Sequence, residues 1–165
     1  MLSPTLQAAL NDQITNEFHA AYLYLSMAGY FQAANLTGFA HWMTLQREEE
    51  VAHGMKIFDF VHDRGGRVTL QALPAPPPEF ESPLAVMQQA LAHERAVTAS
   101  INELYELAVR ERDYPTQALL QWFIIEQVEE ENSAQTIVEQ LAMIGADRAA
   151  LLILDREFGA RSPGE

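Results

Sequence analysis

Residues 65–82, GGRVTLQALPAPPPEFES, limit the fold of this chain more than any other segment. Four prolines and the lack of any helical period make the stretch an extended connection. On either side lie long segments with apolar residues at three-to-four spacing, the mark of amphipathic helices. Ser3-Pro4 and Ser82-Pro83 each read as an N-cap followed by proline in the first helical position. Thr37, after the turn at 35–38, reads as the cap of a second helix, and Asp113 and Asp147 open two more. The expected helices are about 4–33, 37–64, 83–112, 115–144 and a short one at 148–158, with glycines 65, 66 and 145 as stops.

Loop lengths then choose the topology. A helix of about 28 residues is roughly 42 Å long, and an extended segment the length of 65–82 reaches up to roughly 60 Å. That connection can run the whole length of a bundle, whereas the turns near 35 and 113 can only join neighbours. The sequence therefore predicts an all-α fold: two antiparallel hairpins linked by one long crossover between the second and third helices, the ferritin-like form of the four-helix bundle, with a short fifth helix at the C-terminal end. The length of 165 residues suits one domain spanning 1–165 with a substantial core.

Composition narrows the function classes. The formal net charge of −13 comes with no basic stripe or tail, which argues against nucleic-acid binding and favours cations as ligands. With no cysteine there is no thiolate metal site, disulfide framework or cysteine nucleophile. The opening MLSPTLQAALNDQ has neither a basic start nor a continuous apolar run, so no export signal is expected, and no window is apolar enough for a membrane span. The expected compartment is the cytoplasm.

The apolar stripes carry the chemistry. In the first helix the stripe runs through Leu10, Ile14, Glu17, Ala21 and Tyr24, and in the second through Met43, Gln46, Glu50, His53 and Ile57. The third gives Leu91, Glu94 and Val97, and the fourth Phe123, Gln127, Glu130 and Ala134. Each stripe is interrupted by polar groups near mid-helix, and mid-helix positions of near-parallel rods share one level. Taken alone, the run EEE at 48–50 or at 129–131 is a solvated helix face. Four interruptions at one level predict instead that Glu17, Glu50, His53, Glu94, Gln127 and Glu130 meet inside the core. Burying an unpaired carboxylate costs several kcal/mol even after relaxation, and none of these stripes contains lysine or arginine. The carboxyls must hold protons or bind cations, and two divalent ions would balance four carboxylates. A mainly oxygen donor set with one imidazole suits iron or manganese better than structural zinc. His19, His41, His62 and His93 have no such support and read as surface or packing residues.

These residues carry a resemblance. NEFHAAYLYLSMA around Glu17, EEEVAHGMK around Glu50 and His53, the His-Glu pair ending at Glu94, and QWFIIEQVEEE around Gln127 and Glu130 closely resemble the bacterial non-haem ferritins, over essentially the whole chain. The resemblance implies a ferroxidase that oxidises Fe(II) with dioxygen or hydrogen peroxide and stores Fe(III) as a mineral. It implies one iron on Glu17, Glu50 and His53, and a second on Glu50, Glu94 and Glu130 with Gln127 beside it. A third iron site, towards the cavity, maps to Glu49, Glu126 and Glu129 with Glu130 shared. Tyr24 and Trp122 match aromatic neighbours of the centre, the tyrosine as a candidate electron donor. Members of the family form hollow 24-subunit shells whose fifth helix lines the four-fold axes.

Related families differ at identifiable positions. Bacterioferritins carry Glu-x-x-His on the fourth helix, where this chain has Gln127 and Glu130. They also hold haem with a methionine one residue after the bridging glutamate, where this chain has Val51, so no haem is expected. The Dps mini-ferritins lack a fifth helix, and rubrerythrins need cysteines. Two other readings remain at this level: a di-iron oxidase or peroxidase of the same fold that stores nothing, and a plain interaction bundle whose polar residues set register.

Overall fold

Four of the five helices begin at the side chains that predict them in the computed structural model, which describes residues 1–162. The elements are α1 (Pro4–Ala33), α2 (Thr37–Asp63), α3 (Pro83–Arg110), α4 (Tyr114–Ile144) and α5 (Arg148–Gly159). Ser3, Ser82 and Asp113 accept from the backbone N–H three residues on, and Asp147 accepts from Ala149 and Ala150. Each thereby satisfies first-turn donors that have no partner inside the helix. No strand occurs among the described residues, and none of their helices is long and apolar enough to cross a membrane.

The expected cap on α2 is wrong. Thr37 is the first helical residue, and Leu36 before it offers no side-chain cap. The donor is satisfied from a distance: Asp155 of α5 accepts the Phe39 N–H at 2.9 Å. The expected end of α3 at 112 is also two residues late. Arg112 sits in the left-handed region at φ 56°, which stops the helix at Arg110 and returns the Asp113 N–H to the Ala108 carbonyl. At the end of α2, Gly65 takes φ 71° and leaves Arg64 free to grip Asp113 through two bonds of 2.8 and 2.9 Å. This ties the exit of α2 to the start of α4.

Two apolar clusters fill the bundle, one towards each end. The first includes Met27, Phe31, Phe39, Met43, Met87 and Leu141; the second includes Leu6, Ile14, Ile57, Val61, Ile101 and Leu120. Burying each large apolar side chain contributes about 1.5–3 kcal/mol. Chain direction follows from their order. α1 and α4 pass from the second cluster to the first, while α2 and α3 pass from the first to the second. α2 and α3 are therefore parallel, and the segment between them must travel the length of the bundle. It does so along α1: Gln7 bonds Arg67, Asn11 bonds Arg67 and Thr69, Asp12 bonds Gln71, and Ser26 bonds Pro77. The architecture is the four-helix bundle with one lengthwise crossover that the loop lengths predict.

α5 is seated on the start of α2. The Phe158 ring meets that of Phe39 edge-on at 4.8 Å, and Leu154 joins the first cluster. Gly38 makes this approach available, because a Cβ there would lie 1.6 Å from the Asp155 carbonyl oxygen.

Candidate metal centre

Between the two apolar clusters every long helix places polar side chains in the core. On α1, Glu17 lies between Ile14 and Ala20; on α2, Gln46, Glu50 and His53 lie between Met43 and Ile57. On α3, Glu94 lies between Leu91 and Val97, and on α4, Gln127 and Glu130 lie between Phe123 and Ala134. All seven are buried, Glu17 completely and Glu130, the most open, to 8% exposure. They form a polar waist between the two apolar clusters.

Glu17, Glu50 and His53 make one compact group whose ligand atoms lie within 4.8 Å of one another. The His53 Nδ1 is 3.7 Å from Glu50 and 3.9 Å from Glu17. A second group of the same size joins His53 to Glu126 and Glu130 on α4. Glu94 stands apart from both, held from two sides: the Tyr24 hydroxyl donates to one oxygen, and the Gln127 amide donates to the other at 3.2 Å. Trp122 meets His53 edge-on at 5.3 Å and carries the Lys56 ammonium 4.0 Å over its ring. Tyr24 is fully buried and meets Trp42.

Two partners of these side chains, Gln13 and Arg161, are absent from the sequence reading, and a third, Gln46, stands in its α2 stripe without a role. Gln13 is buried one turn before Glu17 and donates to it at 2.7 Å; its i,i+4 spacing to Glu17 is the signal that points to it. Gln46 sits within the α2 stripe and donates to Glu130 at 2.7 Å. Arg161, beyond α5, reaches Gln46 and Glu49; no periodicity in the sequence marks it.

The electrostatics follow from burial. Desolvation raises Glu17 to about 7 and Glu130 to about 8, and it also holds Glu50 and Glu94 above the usual carboxylate range. Neighbouring carboxylates add to the effect, with Glu94 acting on Glu17, Glu50 and Glu130. The same desolvation lowers His53 to about 4, so its imidazole is neutral at physiological pH and keeps a lone pair for a metal. One oxygen of Glu17 and one of Glu50 are buried with no hydrogen-bond partner. Buried polar atoms are rarely left this way, and two orphaned carboxylate oxygens beside a neutral imidazole fit a hard divalent cation.

The outer acidic residues are arranged differently. Glu126 is half-buried and its carboxyl is raised, first by burial and then by Glu129 and Glu49. Glu129 is exposed. Glu49 is turned towards Arg161, 3.2 Å away, and among the described residues neither Glu49 nor Glu129 joins a compact group.

A bundle with one lengthwise crossover and glutamates from all four helices meeting at its waist is the architecture of the ferritin-like proteins. Residues 7–144 match the family model of the ferritin-like domain, and the chain belongs to that family. It is similar to the bacterial non-haem ferritin of Staphylococcus haemolyticus, 42% identical over 162 residues that cover 98% of each chain. That of Staphylococcus epidermidis is also 42% identical, over 100% of this chain and 99% of its own. Among solved structures, an open-pore ferritin from the hyperthermophilic archaeon Archaeoglobus fulgidus has a TM-score of 0.97 and 51% identity, covering 98% of this chain and 99% of that one. A humanized archaeal ferritin reaches 0.98 at 50% identity over both whole chains.

Proposed function

We propose that this chain, acting as one domain, stores iron as a ferroxidase: it oxidises Fe(II) at a pair of positions inside its own bundle and holds the Fe(III) as mineral within a shell of 24 copies. The observation that carries the reading is the set of four buried carboxyls and one neutral imidazole between two apolar clusters, supported by amides and a phenol. Glu17, Glu50 and His53 take one iron. Glu50, Glu94 and Glu130 take the other, with Gln127 orienting Glu94. Two Fe(II) ions supply two electrons, the number that takes dioxygen and two protons to hydrogen peroxide. Holding both at bridging distance lets the electrons leave together. Glu126 and Glu129, with Glu49, form a third position towards the cavity that shares Glu130. Tyr24, hydrogen-bonded to Glu94, is placed to supply a further electron.

Exposed apolar residues support assembly. Tyr22 and Leu25 of α1 and Leu70 and Leu73 of the crossover line one apolar groove, and Leu152 and Ile153 of α5 are more than half exposed. Grooves and helices of this kind mark surfaces covered by other chains. Aerobic loading with Fe(II), with sedimentation and a count of iron per particle, tests the proposal. Particles of shell size holding hundreds of irons are expected. Oxidation that stops at two or three irons per chain would overturn storage, and monomers or dimers at micromolar concentration would overturn the shell.

A further inference from the structure

The end of α5 places a cation at the edge of the polar waist, although no stripe supplies one. Arg161 lies two residues past α5, its carbonyl 3.0 Å from His41 Nε2 and its guanidinium over the Trp42 ring at 5.2 Å. One guanidinium nitrogen donates to Gln46 Oε1. The other donates to both oxygens of Glu49, at 3.2 and 3.3 Å. The Gln46 amide donates onward to Glu130 at 2.7 Å. Arg161 therefore engages the whole Glu49 carboxylate and reaches Glu130 through one intervening side chain.

A carboxylate whose two oxygens both accept from a guanidinium has its charge and part of its lone pairs engaged, so a metal ion must compete with that contact. The side chains of Arg161 and Glu49 keep 17% and 25% exposure, so water screens the pair and the contact is reversible. Glu126 and Glu129 on α4 are the other carboxylates of this face, and Glu126 lies close enough to Glu49 for the two charges to act on each other.

We propose that Arg161 is a positioning residue that occupies Glu49 as an internal counter-cation, and thereby sets how tightly Glu49, Glu126 and Glu129 together take a divalent ion. An arriving ion displaces the guanidinium from Glu49. Gln46 then loses the contact that fixes its carbonyl side, so the change is transmitted to Glu130 at the shared edge of the centre. The third position is in this way held weaker than the two inner ones, and an ion placed there is released when Arg161 returns. The inference rests on the reading of the three glutamates as a cation site.

The test is calorimetric titration of the assembled, metal-free protein with Zn(II), which binds oxygen and nitrogen donors but is not oxidised. Parent, Arg161→Gln, Arg161→Lys and the triple variant Glu49→Gln, Glu126→Gln, Glu129→Gln are compared. The parent should show a tight class of sites and a weaker one. Arg161→Gln should tighten the weaker class about three- to fivefold, the range expected for losing a partly screened ion pair, and leave the count of tight sites unchanged. Arg161→Lys should recover part of the shift, because an ammonium keeps the charge but lacks the two-pronged geometry. The triple variant should lose the weaker class. If it does, and Arg161→Gln binds like the parent or more weakly, the role given to Arg161 is wrong while the cation site stands. A triple variant that binds like the parent would overturn the cation site and the role of Arg161 with it.

Discussion

Asp155, on the fifth helix, accepts the backbone N–H of Phe39 in the first turn of the second helix at 2.9 Å. The first turn of α2 is thus completed by a side chain more than a hundred residues away, and the seat of α5 and the start of α2 are one structural unit. Asp155→Ala should cost about 1–2 kcal/mol, the usual price of a lost N-cap with a buried donor left over. Gly38→Ala should be worse, since its Cβ would meet the Asp155 carbonyl at 1.6 Å and α5 would have to lift. Urea unfolding checks both; a Gly38→Ala midpoint equal to the parent's would show that α5 is not held there.

At the centre, Glu50 touches both proposed iron positions, so Glu50→Ala should abolish rapid Fe(II) oxidation in stopped flow. His53→Ala should weaken chiefly the position built with Glu17. Stability should move the other way. Exchanging a buried carboxyl for a side chain of similar volume, as in Glu50→Leu, is expected to be neutral or stabilising by about 1–4 kcal/mol in the metal-free protein. Oxidation by Glu50→Ala at the parent rate would remove Glu50 from the reaction.

The raised carboxyls predict proton release. With Glu17 at about 7, Glu130 at about 8 and Glu50 also held well above the usual carboxylate range by burial, metal-free protein at pH 7 carries protons that a divalent ion must displace. Zn(II) binding at pH 7 should release more than about one proton per pair of ions, read by calorimetry in buffers of different ionisation enthalpy. Affinity should fall as pH drops from 8 towards 6. Without metal the sign reverses. Both glutamates bind more protons folded than unfolded between pH 4.5 and their raised values, so their contribution is full at low pH and is lost as pH rises through 7 and 8. His53, lowered to about 4, works against this only below its unfolded value of 6.5. From pH 8 to 6.5 the metal-free unfolding midpoint should therefore rise, and Glu17→Gln should flatten the trend.

Tyr24 donates to Glu94, and burial first, then the surrounding carboxylates, raise its pKa, so the phenol is neutral. Tyr24→Phe should cost about 1–3 kcal/mol, because a buried carboxyl oxygen loses its donor. If Tyr24 supplies an electron, rapid-freeze paramagnetic resonance after oxidant is added should show a tyrosyl signal in the parent and none in Tyr24→Phe. The same signal in both would assign the electron elsewhere.

The bundle and its polar waist are legible in the sequence because both are written in helical periodicity. Glu17, Glu50, Glu94 and Glu130 stand where an apolar residue is due, and the proline-rich crossover leaves one way to connect the helices. What lies beyond periodicity is not legible. Gly145 turns the chain at φ 55°, and nothing local says where the short helix after it will pack. The Asp155 cap, the close approach at Gly38 and the Arg161 contacts all depend on that one direction. The outer acidic residues show the same limit. The resemblance groups Glu49 with Glu126 and Glu129, while the geometry turns Glu49 to an arginine and sets Glu126 beside His53 and Glu130.

The fourth helix makes the two proposed iron positions unequal. On α2 the pattern is Glu50-x-x-His53, but on α4 it is Gln127-x-x-Glu130, so the position at Glu94 and Glu130 has no imidazole of its own. Gln127 spends its amide protons on Glu94 and on Thr98, at 3.2 and 3.3 Å, and Glu130 is already engaged by Gln46. Iron there should be held more weakly and passed on, as storage requires of a centre that empties after each turnover. The double change Gln127→Glu with Glu130→His would make α4 match α2, the symmetric arrangement of bundles that keep both metals. It keeps four carboxylates at the waist and adds a second nitrogen donor. Each chain should then retain two irons after oxidation and gel filtration when loaded with no more than two, whereas the parent should lose at least one to the cavity or to a chelator. Equal loss from parent and double variant would show that the missing imidazole does not govern release.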